Sequence, residues 1–283
     1  MQSQKNFPRS FSCEFFPPKT EQGMEKLIAV SKELKDVVKP AFFSVTFGAG
    51  GSTRERTFET VTQIYKQSSV NVAPHLSCVG STRQQLTEIL QSYKAQNINR
   101  IVALRGDMPS GTVSKSDFNY ANELVSFIRQ QYGSTFHIEV AAYPEFHPQA
   151  QSASSDLQNF KRKVEAGATT AITQYFYNIE AYLRFVESCE KQGINIAITP
   201  GIMPITNFSN LARFSDTCGA EIPAWLRKRL LDYGDDIESI KAYGADVVTE
   251  LCHRLLTEGA PGLHFYTLNQ ADATLRIWNN LAR

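Results

Sequence analysis

Eight short apolar runs recur along the chain, and most of them are followed within a few residues by Gly, Pro or a charged residue. Runs of this length between turn residues are typical of strands that are covered on both faces, as in a parallel sheet. Apolar residues at helical spacing, such as Met24, Leu27 and Leu34, lie between the runs. The predicted strands are Ser10–Phe15, Phe42–Thr46, Asn71–His75, Ile101–Leu104, Ile138–Ala142, Thr170–Thr173, Asn195–Thr199 and Gly262–Tyr266.

Regular alternation of strands and helices predicts an α/β protein with a parallel sheet. Eight such units in 283 residues predict a (β/α)8 TIM-type barrel, with residues 1–283 as a single catalytic domain. The interval between strands 7 and 8 is long enough for extra helices, predicted around Phe208–Phe214, Ala224–Tyr233 and Ile237–Glu258. An open doubly wound sheet, whose first and last strands would not meet, is the alternative.

Composition excludes several classes of function. The chain has 29 Lys+Arg against 28 Asp+Glu, so it lacks the basic character of a nucleic-acid-binding protein. The five cysteines form no CxxC pair, and the five histidines form no HxxxH or HExxH spacing, which argues against a disulfide framework and a metal site. We see neither a signal peptide nor an apolar run of about 20 residues that could span a membrane. We therefore expect a cytoplasmic protein without a membrane partner.

The fourth predicted strand runs directly into Arg105-Gly106-Asp107. Because α/β proteins place their chemistry at the carboxyl ends of parallel strands, Arg105 and Asp107 are candidate site residues. A surface turn with an ion pair is the alternative.

The first predicted strand carries Glu14 among phenylalanines and prolines. Alternation puts Cys13 and Phe15 on one face of the strand and Glu14 on the other. We expect a poorly solvated carboxyl group whose protonated form is favoured, as a general acid requires. A partly exposed Glu at a strand end is the alternative.

Other strand ends carry weaker signals. The glycine-rich segment after Phe47 does not satisfy GxGxxG, because Thr53 stands where the third glycine would be, so a dinucleotide fingerprint receives little weight. His75 could donate to a cofactor oxygen, although a lone histidine is more often structural. Gln174 supplies an amide that can donate and accept at once.

One predicted helix has an unusual polar face formed by Asp156, Asn159 and Lys163. A hydroxyl-binding Asp, an Asn and a phosphate-binding Lys on one ridge would suit a ribose diphosphate. A solvated face of salt bridges is the alternative.

Taken together, these segments resemble methylenetetrahydrofolate reductase, the flavin enzyme of one-carbon metabolism, in its bacterial form. Nine matching stretches follow one another over the whole chain, and their succession is far more specific than any one of them. They are Ser12–Pro18, Ser44–Gly50, Ala73–Cys78, Ile101–Pro109, Ala141–Pro148, Asn159–Ala168, Ala171–Tyr177, Pro200–Phe208 and His264–Asn269.

The resemblance implies a barrel that binds FAD and a ping-pong reaction. NADH or NADPH would reduce the flavin and leave, and the flavin would then reduce 5,10-methylenetetrahydrofolate to 5-methyltetrahydrofolate, supplying methionine synthesis. Glu14 would be the acid that opens the folate ring to an iminium, and Asp107 would stabilise that cation. Gln174 would hydrogen-bond the pterin or the nicotinamide, and Phe214 would stack on either.

The resemblance also assigns residues to the cofactor and the substrate. The positions that match FAD contacts are Thr46, His75, Arg105, Gly106, Asp107, Tyr120, Ala121, Tyr143, His147, Asp156, Asn159, Arg162 and Lys163. The positions expected on the substrate side are Glu14, Thr46, Asp107, Tyr143, Gln174, Asn210, Phe214 and Gln270.

Two of these positions depart from the family, because Gln270 stands where an Arg is frequent and Asn210 where a Gln occurs. Both positions lie on the side expected to contact folate or dinucleotide. Another flavin barrel, such as a proline dehydrogenase-like enzyme, and a non-catalytic binding barrel are the alternative functions. The resemblance further implies a homo-oligomer, while the choice between NADH and NADPH stays open.

Overall fold

The computed structural model describes the backbone of residues 1–47, 51–106 and 116–282, and the side chains of these residues except 51–53. Asp107 lies outside the described residues. A short 3-10 helix, Ser3–Asn6, precedes the first strand. The strands are β1 (Ser10–Phe15), β2 (Phe42–Val45), β3 (Asn71–Ser77), β4 (Arg100–Leu104), β5 (His137–Ala142), β6 (Thr170–Thr173), β7 (Ala197–Thr199), β8 (Gly201–Ile202) and β9 (Gly262–Tyr266).

Helices separate almost all of these strands. They are α1 (Glu21–Val38), α2 (Gly51–Ser68), α3 (Arg83–Ala95), α4 (Ala121–Tyr132), α5 (Ala153–Glu165), α6 (Ile179–Lys191), α7 (Phe208–Cys218), α8 (Ala224–Asp232), α9 (Ile237–Glu258) and α10 (Asp272–Leu281). The three helices predicted before the last strand are therefore present as α7, α8 and α9.

The strands form one sheet in the order β7-β6-β5-β4-β3-β2-β1-β9-β8. The pairs β1–β2, β2–β3, β3–β4, β4–β5 and β8–β9 are parallel. The two ends of the order, β7 and β8, are consecutive pieces of one segment that is interrupted only at Pro200. The list of neighbouring strands therefore begins and ends in the same segment of the chain. This is the connectivity of a (β/α)8 barrel, so the predicted fold class is confirmed.

The seventh strand differs in its bounds from the prediction. It begins at Ala197 rather than Asn195, because the side-chain amide of Gln4 donates to Ile196 O at 3.1 Å and accepts from Ile198 N at 2.8 Å. It stops at Pro200, which has no N–H to give to a ladder.

The chain divides into two compact units. Unit 1 comprises Met1–Phe11, Ala142–Lys161 and Ile172–Arg283, and unit 2 comprises Ser12–Ala141 and Arg162–Ala171. The single domain over residues 1–283 stays a prediction.

Unit 2 owes its elements to clear local signals. The Thr20 side chain caps α1 by accepting from Gly23 N, and Thr82 forms a capping box with Gln85 at the start of α3. All four residues of β2 are buried, as expected for a strand of a parallel sheet covered on both faces.

Unit 1 ties the first residues of the chain to much later ones. Ser3 N and Oγ donate to Glu190 Oε1 at 2.9 and 2.6 Å, and Ser10 N donates to Pro261 O at 2.8 Å. Gly262 follows at φ 139°, and a Cβ atom there would lie 1.6 Å from Ser10 O. Glycine is therefore required at the point where β1 and β9 meet.

Candidate active site

Glu14 lies in a polar cluster of unit 2. The register of β1 and β2 places Glu14 opposite Ser44, whose Oγ donates to Glu14 Oε2 at 3.2 Å. His75 Nε2 of β3 lies 3.1 Å from the same oxygen, and the Glu14 and His75 side chains are only 16% and 11% exposed. His75 Nε2 makes no hydrogen bond of good geometry, so the two groups are related by proximity alone.

These surroundings differ from the apolar ones expected around Glu14. Cys13 and Phe15 are buried on the opposite face of β1, at 0% and 1% exposure, so side-chain alternation holds. The neighbouring strands, however, contribute a hydroxyl group and an imidazole on the Glu14 side. A carboxyl group beside an imidazole can exchange a proton with it, which is an arrangement that suits acid–base chemistry.

The turn after β4 brings backbone atoms close to a side chain of β3. Gly106 has φ 83°, and a Cβ atom on it would lie 2.8 Å from the Ser77 side chain. Arg105 Nε donates to Gly106 O at 3.3 Å, and Arg105 O accepts from Val79 N at 2.9 Å. The positive φ and the nearby Ser77 side chain together mean that only glycine fits at this position without strain.

The remaining cofactor candidates of unit 2 occupy strand and helix ends. Thr46 N donates to Phe15 O at 2.9 Å just after β2. Tyr120 caps α4 and is 60% exposed, and Ala121 is the first residue of that helix. Lys163 Nζ donates to Ala141 O at 2.5 Å, whereas Arg162 is exposed.

Three candidates of unit 1 meet in the segment after β5. The rings of Tyr143 and His147 contact edge to face, with centroids 4.6 Å apart. His147 N donates to Asp156 Oδ2 at 2.9 Å. The Asp156 carboxylate therefore holds the segment after β5 in place. Gln149 N donates to His147 Nδ1 at 3.0 Å, which places the ring proton on Nε2. Asn159, on the same helix as Asp156, is exposed.

Gln174 follows β6 and continues its pairing, since Gln174 N donates to Ala142 O at 2.8 Å. Its side-chain Oε1 accepts from Tyr175 N at 3.0 Å. The Nε2 end of the amide therefore points away from Tyr175 N. Behind it, the Tyr175 hydroxyl pairs with Ser215 Oγ at 3.0 Å and accepts from Cys218 Sγ at 3.5 Å. Burial is the main cause that raises the pKa of Tyr175, so this hydroxyl stays neutral.

The substrate-side candidates on α7 are exposed. Phe214 is 37% exposed, and the Arg213 guanidinium lies 5.4 Å from the centre of its ring. Arg213 also donates to Asn210 Oδ1 at 3.5 Å. Gln270 is exposed and follows two residues with positive φ, Leu268 and Asn269.

A cavity of about 450 Å³ lies in unit 1 beside the segment after β5. This volume is within the range of small-molecule sites, roughly 300–1,000 Å³. Tyr143, Glu145 and Asp156 line it from one side and Asn178 and Arg184 from α6 and its cap.

Sequence reasoning missed Ser44, Glu145 and the pair Ser215–Cys218. Ser44 lies beside Glu14 because of the register of β1 and β2, which the alternation of residues along each strand does not determine. Glu145 stands in the quoted stretch Ala141–Pro148 without an assigned role. Ser215 and Cys218 of α7 had no signal in the sequence, because only the folding of the chain brings them into contact with Tyr175.

Among residues 1–47, 51–106 and 116–282, no helix is both long and apolar enough to cross a membrane. No group of three or more His, Cys, Asp or Glu among them could hold a metal ion.

A family model described as "Methylenetetrahydrofolate reductase" matches residues 2–282. The 5,10-methylenetetrahydrofolate reductase of Buchnera aphidicola subsp. Acyrthosiphon pisum (strain APS) is 43% identical over 98% of this chain and 94% of its own length. The protein of the same name from Escherichia coli (strain K12) is 42% identical over 95% of this chain and 90% of its own. Methylenetetrahydrofolate reductase (NADH) 1 of Arabidopsis thaliana is 39% identical over 96% of this chain, but only 48% of that protein is covered.

Among solved structures, an uncharacterized protein from Clostridium thermocellum that binds two copies of 5-methyl-5,6,7,8-tetrahydrofolic acid is similar at a TM-score of 0.63. The likeness covers 99% of this chain and 96% of that one, at 15% sequence identity. At that identity, the likeness shows a shared fold.

Proposed function

The chain belongs to the methylenetetrahydrofolate reductase family, and from this premise we propose that it reduces 5,10-methylenetetrahydrofolate to 5-methyltetrahydrofolate. The proposed reaction uses FAD as cofactor and NADH or NADPH as reductant, in a ping-pong sequence. The observation that supports it best is the placement of Glu14, the proposed acid, within 3.1 Å of His75 and 3.2 Å of Ser44.

Glu14 would supply the proton that opens the five-membered ring of the folate. His75 can return a proton to this carboxyl group between turnovers, and the Ser44 hydroxyl fixes the rotamer of Glu14. Asp107, which lies outside the described residues, would stabilise the iminium cation by its negative charge. Gln174 would hydrogen-bond the pterin or nicotinamide through its amide, Phe214 would stack on the same ring, and Asn210 and Gln270 would contact the outer parts of the substrate.

The residues proposed for FAD fit its chemistry. Gly106 has no side chain to keep a flat ring from its backbone. His147 carries its proton on Nε2 because Nδ1 accepts from Gln149 N, and an imidazole N–H and the Lys163 ammonium suit phosphate oxygens. When bound, FAD would take hydride from the pyridine nucleotide and deliver it to the one-carbon unit of the folate.

The other proposed FAD contacts come from the family resemblance: Thr46, His75, Arg105, Asp107, Tyr120, Ala121, Tyr143, Asp156, Asn159 and Arg162. The family resemblance also supports a homo-oligomer, with the folate and NAD(P)H as its small-molecule partners. The cytoplasmic location expected from the composition stays a prediction.

The test separates the two half-reactions. The protein, purified with FAD, should absorb near ~450 nm, bleach anaerobically with NADH or NADPH, and regain its colour with 5,10-methylenetetrahydrofolate. Glu14→Gln should bleach normally but regain its colour more slowly, by about 100-fold or more. Glu33→Gln, an exposed carboxylate of α1, is the control and should behave as wild type.

A colourless protein that takes up no FAD would refute the proposed function. Equal losses of Glu14→Gln in both half-reactions would refute the acid role alone.

A further inference from the structure

A small space separates Glu145 from Gln174 within unit 1. Its volume is about 10 Å³, and Tyr143, Tyr175 and Cys218 also line it. A space of roughly this volume holds a single water molecule when two or more polar groups face it.

The Glu145 carboxyl group is only half satisfied. Its Oε2 accepts from Glu221 N at 2.8 Å, whereas its Oε1 is buried and has no hydrogen-bond partner among the described residues. Burial raises the pKa of Glu145, although the Glu221 N–H lowers it in part. A buried carboxyl oxygen is expected to have a hydrogen-bond partner.

Gln174, across the space, has one end of its amide fixed. Its Oε1 accepts from Tyr175 N, so its Nε2 is the end that can donate to a water and to a bound molecule. The wall behind it is held by the hydrogen bonds of Tyr175 to Ser215 and Cys218. These side chains have satisfied partners, and Glu145 Oε1 is the atom that lacks one.

We propose that Glu145 is a positioning residue for Gln174: one water in the small space bridges Glu145 Oε1 to the Gln174 amide and holds that amide in its substrate-binding orientation. The proposal rests on the proposed function for the role of Gln174, but the water bridge itself does not. Glu145 touches neither substrate nor cofactor in this scheme.

The kinetic test compares Glu145→Leu with Glu145→Gln. Leucine removes the water's partner, so KM for 5,10-methylenetetrahydrofolate should rise about 10-fold with kcat within twofold, because substrate binding and not the chemical step loses an oriented contact. Glutamine keeps both a donor and an acceptor and should restore KM to within about twofold of wild type. Glu258→Leu, the same change at an exposed residue of α9, is the control.

Coupling to Gln174 is the second readout. If Glu145 acts through Gln174, Glu145→Leu should add nothing to KM in a Gln174→Leu background, whereas independent sites would add their effects. Urea denaturation midpoints of the wild type, the two single variants and the double variant should also be non-additive. This measurement does not depend on enzymatic activity. Additive effects in both measurements, or Glu145→Gln as impaired as Glu145→Leu, would overturn the proposal.

The two proposals fail in different ways. A wild-type protein that reduces no folate would refute the proposed function. The urea midpoints would still test the water bridge between Glu145 and Gln174. A normal wild type with additive midpoints and KM values would sink only the bridge.

Discussion

Glu14 Oε2 and His75 Nε2 lie 3.1 Å apart on strands that are not neighbours, since β2 lies between β1 and β3. Ser44 of β2 completes the cluster from the intervening strand. Ser44 lies opposite Glu14 and Ala73 in the register, and His75 lies two residues further along β3. Three consecutive strands thus contribute a carboxyl group, a hydroxyl group and an imidazole to one cluster. If Glu14 is the proposed acid, His75 is the neighbouring group from which we expect it to regain its proton.

His75→Gln should slow the folate half-reaction by about 10-fold or more, because glutamine cannot return a proton to Glu14. Reduction of the flavin by NADH or NADPH should stay within about twofold when FAD is saturating, since this step needs no such proton. Stopped-flow absorbance measures both steps. His253→Gln, at an exposed position of α9, should leave both unchanged, and a uniform loss in His75→Gln would contradict the proton-return role.

Gly106→Ala should weaken FAD binding, because alanine at φ 83° is strained and its Cβ would lie 2.8 Å from Ser77. The backbone must shift to relieve the clash, by an amount that costs about 1–3 kcal/mol. Flavin fluorescence titration measures the change in Kd. Gly193→Ala is a matched control, since Gly193 has φ 72° but open space around it. Equal effects of both substitutions on FAD affinity would show that the close approach is unimportant.

Glu139→Gln should lower the free energy of unfolding by about 3–5 kcal/mol, as expected when one member of a buried ion pair is removed. Glu139 is 3% exposed and contacts Arg100 Nη1 at 2.5 Å and His137 Nε2 at 3.3 Å. Urea denaturation measures the loss. Glu238→Gln, whose partner Lys241 is on the surface, should cost less than about 1 kcal/mol. Similar losses in both variants would contradict the role of burial.

The same residue should make stability depend on acid. Burial raises the pKa of Glu139, but the hydrogen bond from His137 and the charges of Arg100 and His137 outweigh it, so the pKa lies below its ordinary value of 4.5. The unfolded chain then binds more protons, and stability that is complete above pH 4.5 is lost as the pH falls through the folded value. Urea midpoints between pH 7 and the acid range should fall less steeply in Glu139→Gln than in wild type.

Much of the fold could be predicted from the sequence because strands and helices alternate over most of it. β1, β6, β9 and α9 have the predicted bounds. The start of the seventh strand could not be predicted, because the Gln4 amide bonds to Ile196 and Ile198 from almost two hundred residues away. No local pattern carries such a contact.

The candidate site was predicted less completely. Side-chain alternation placed Glu14 correctly on the face opposite Phe15, but its neighbours depend on strand register, which sequence periodicity leaves undetermined. Asp156 was predicted on a polar helix face, and its bond to His147 N shows that it also fixes the preceding loop. The role of Asp107 stays a prediction.

The early residues of unit 1 have partners that a ribosome produces late. Ser3 bonds to Glu190, Gln4 to Ile196 and Ser10 to Pro261. During translation, the first eleven residues must therefore wait while the long stretch Ser12–Ala141 of unit 2 emerges and can already begin to pack. Synthesis of the chain thus imposes an order in which the beginning of the polypeptide gains its last named partner only after Pro261 has been made.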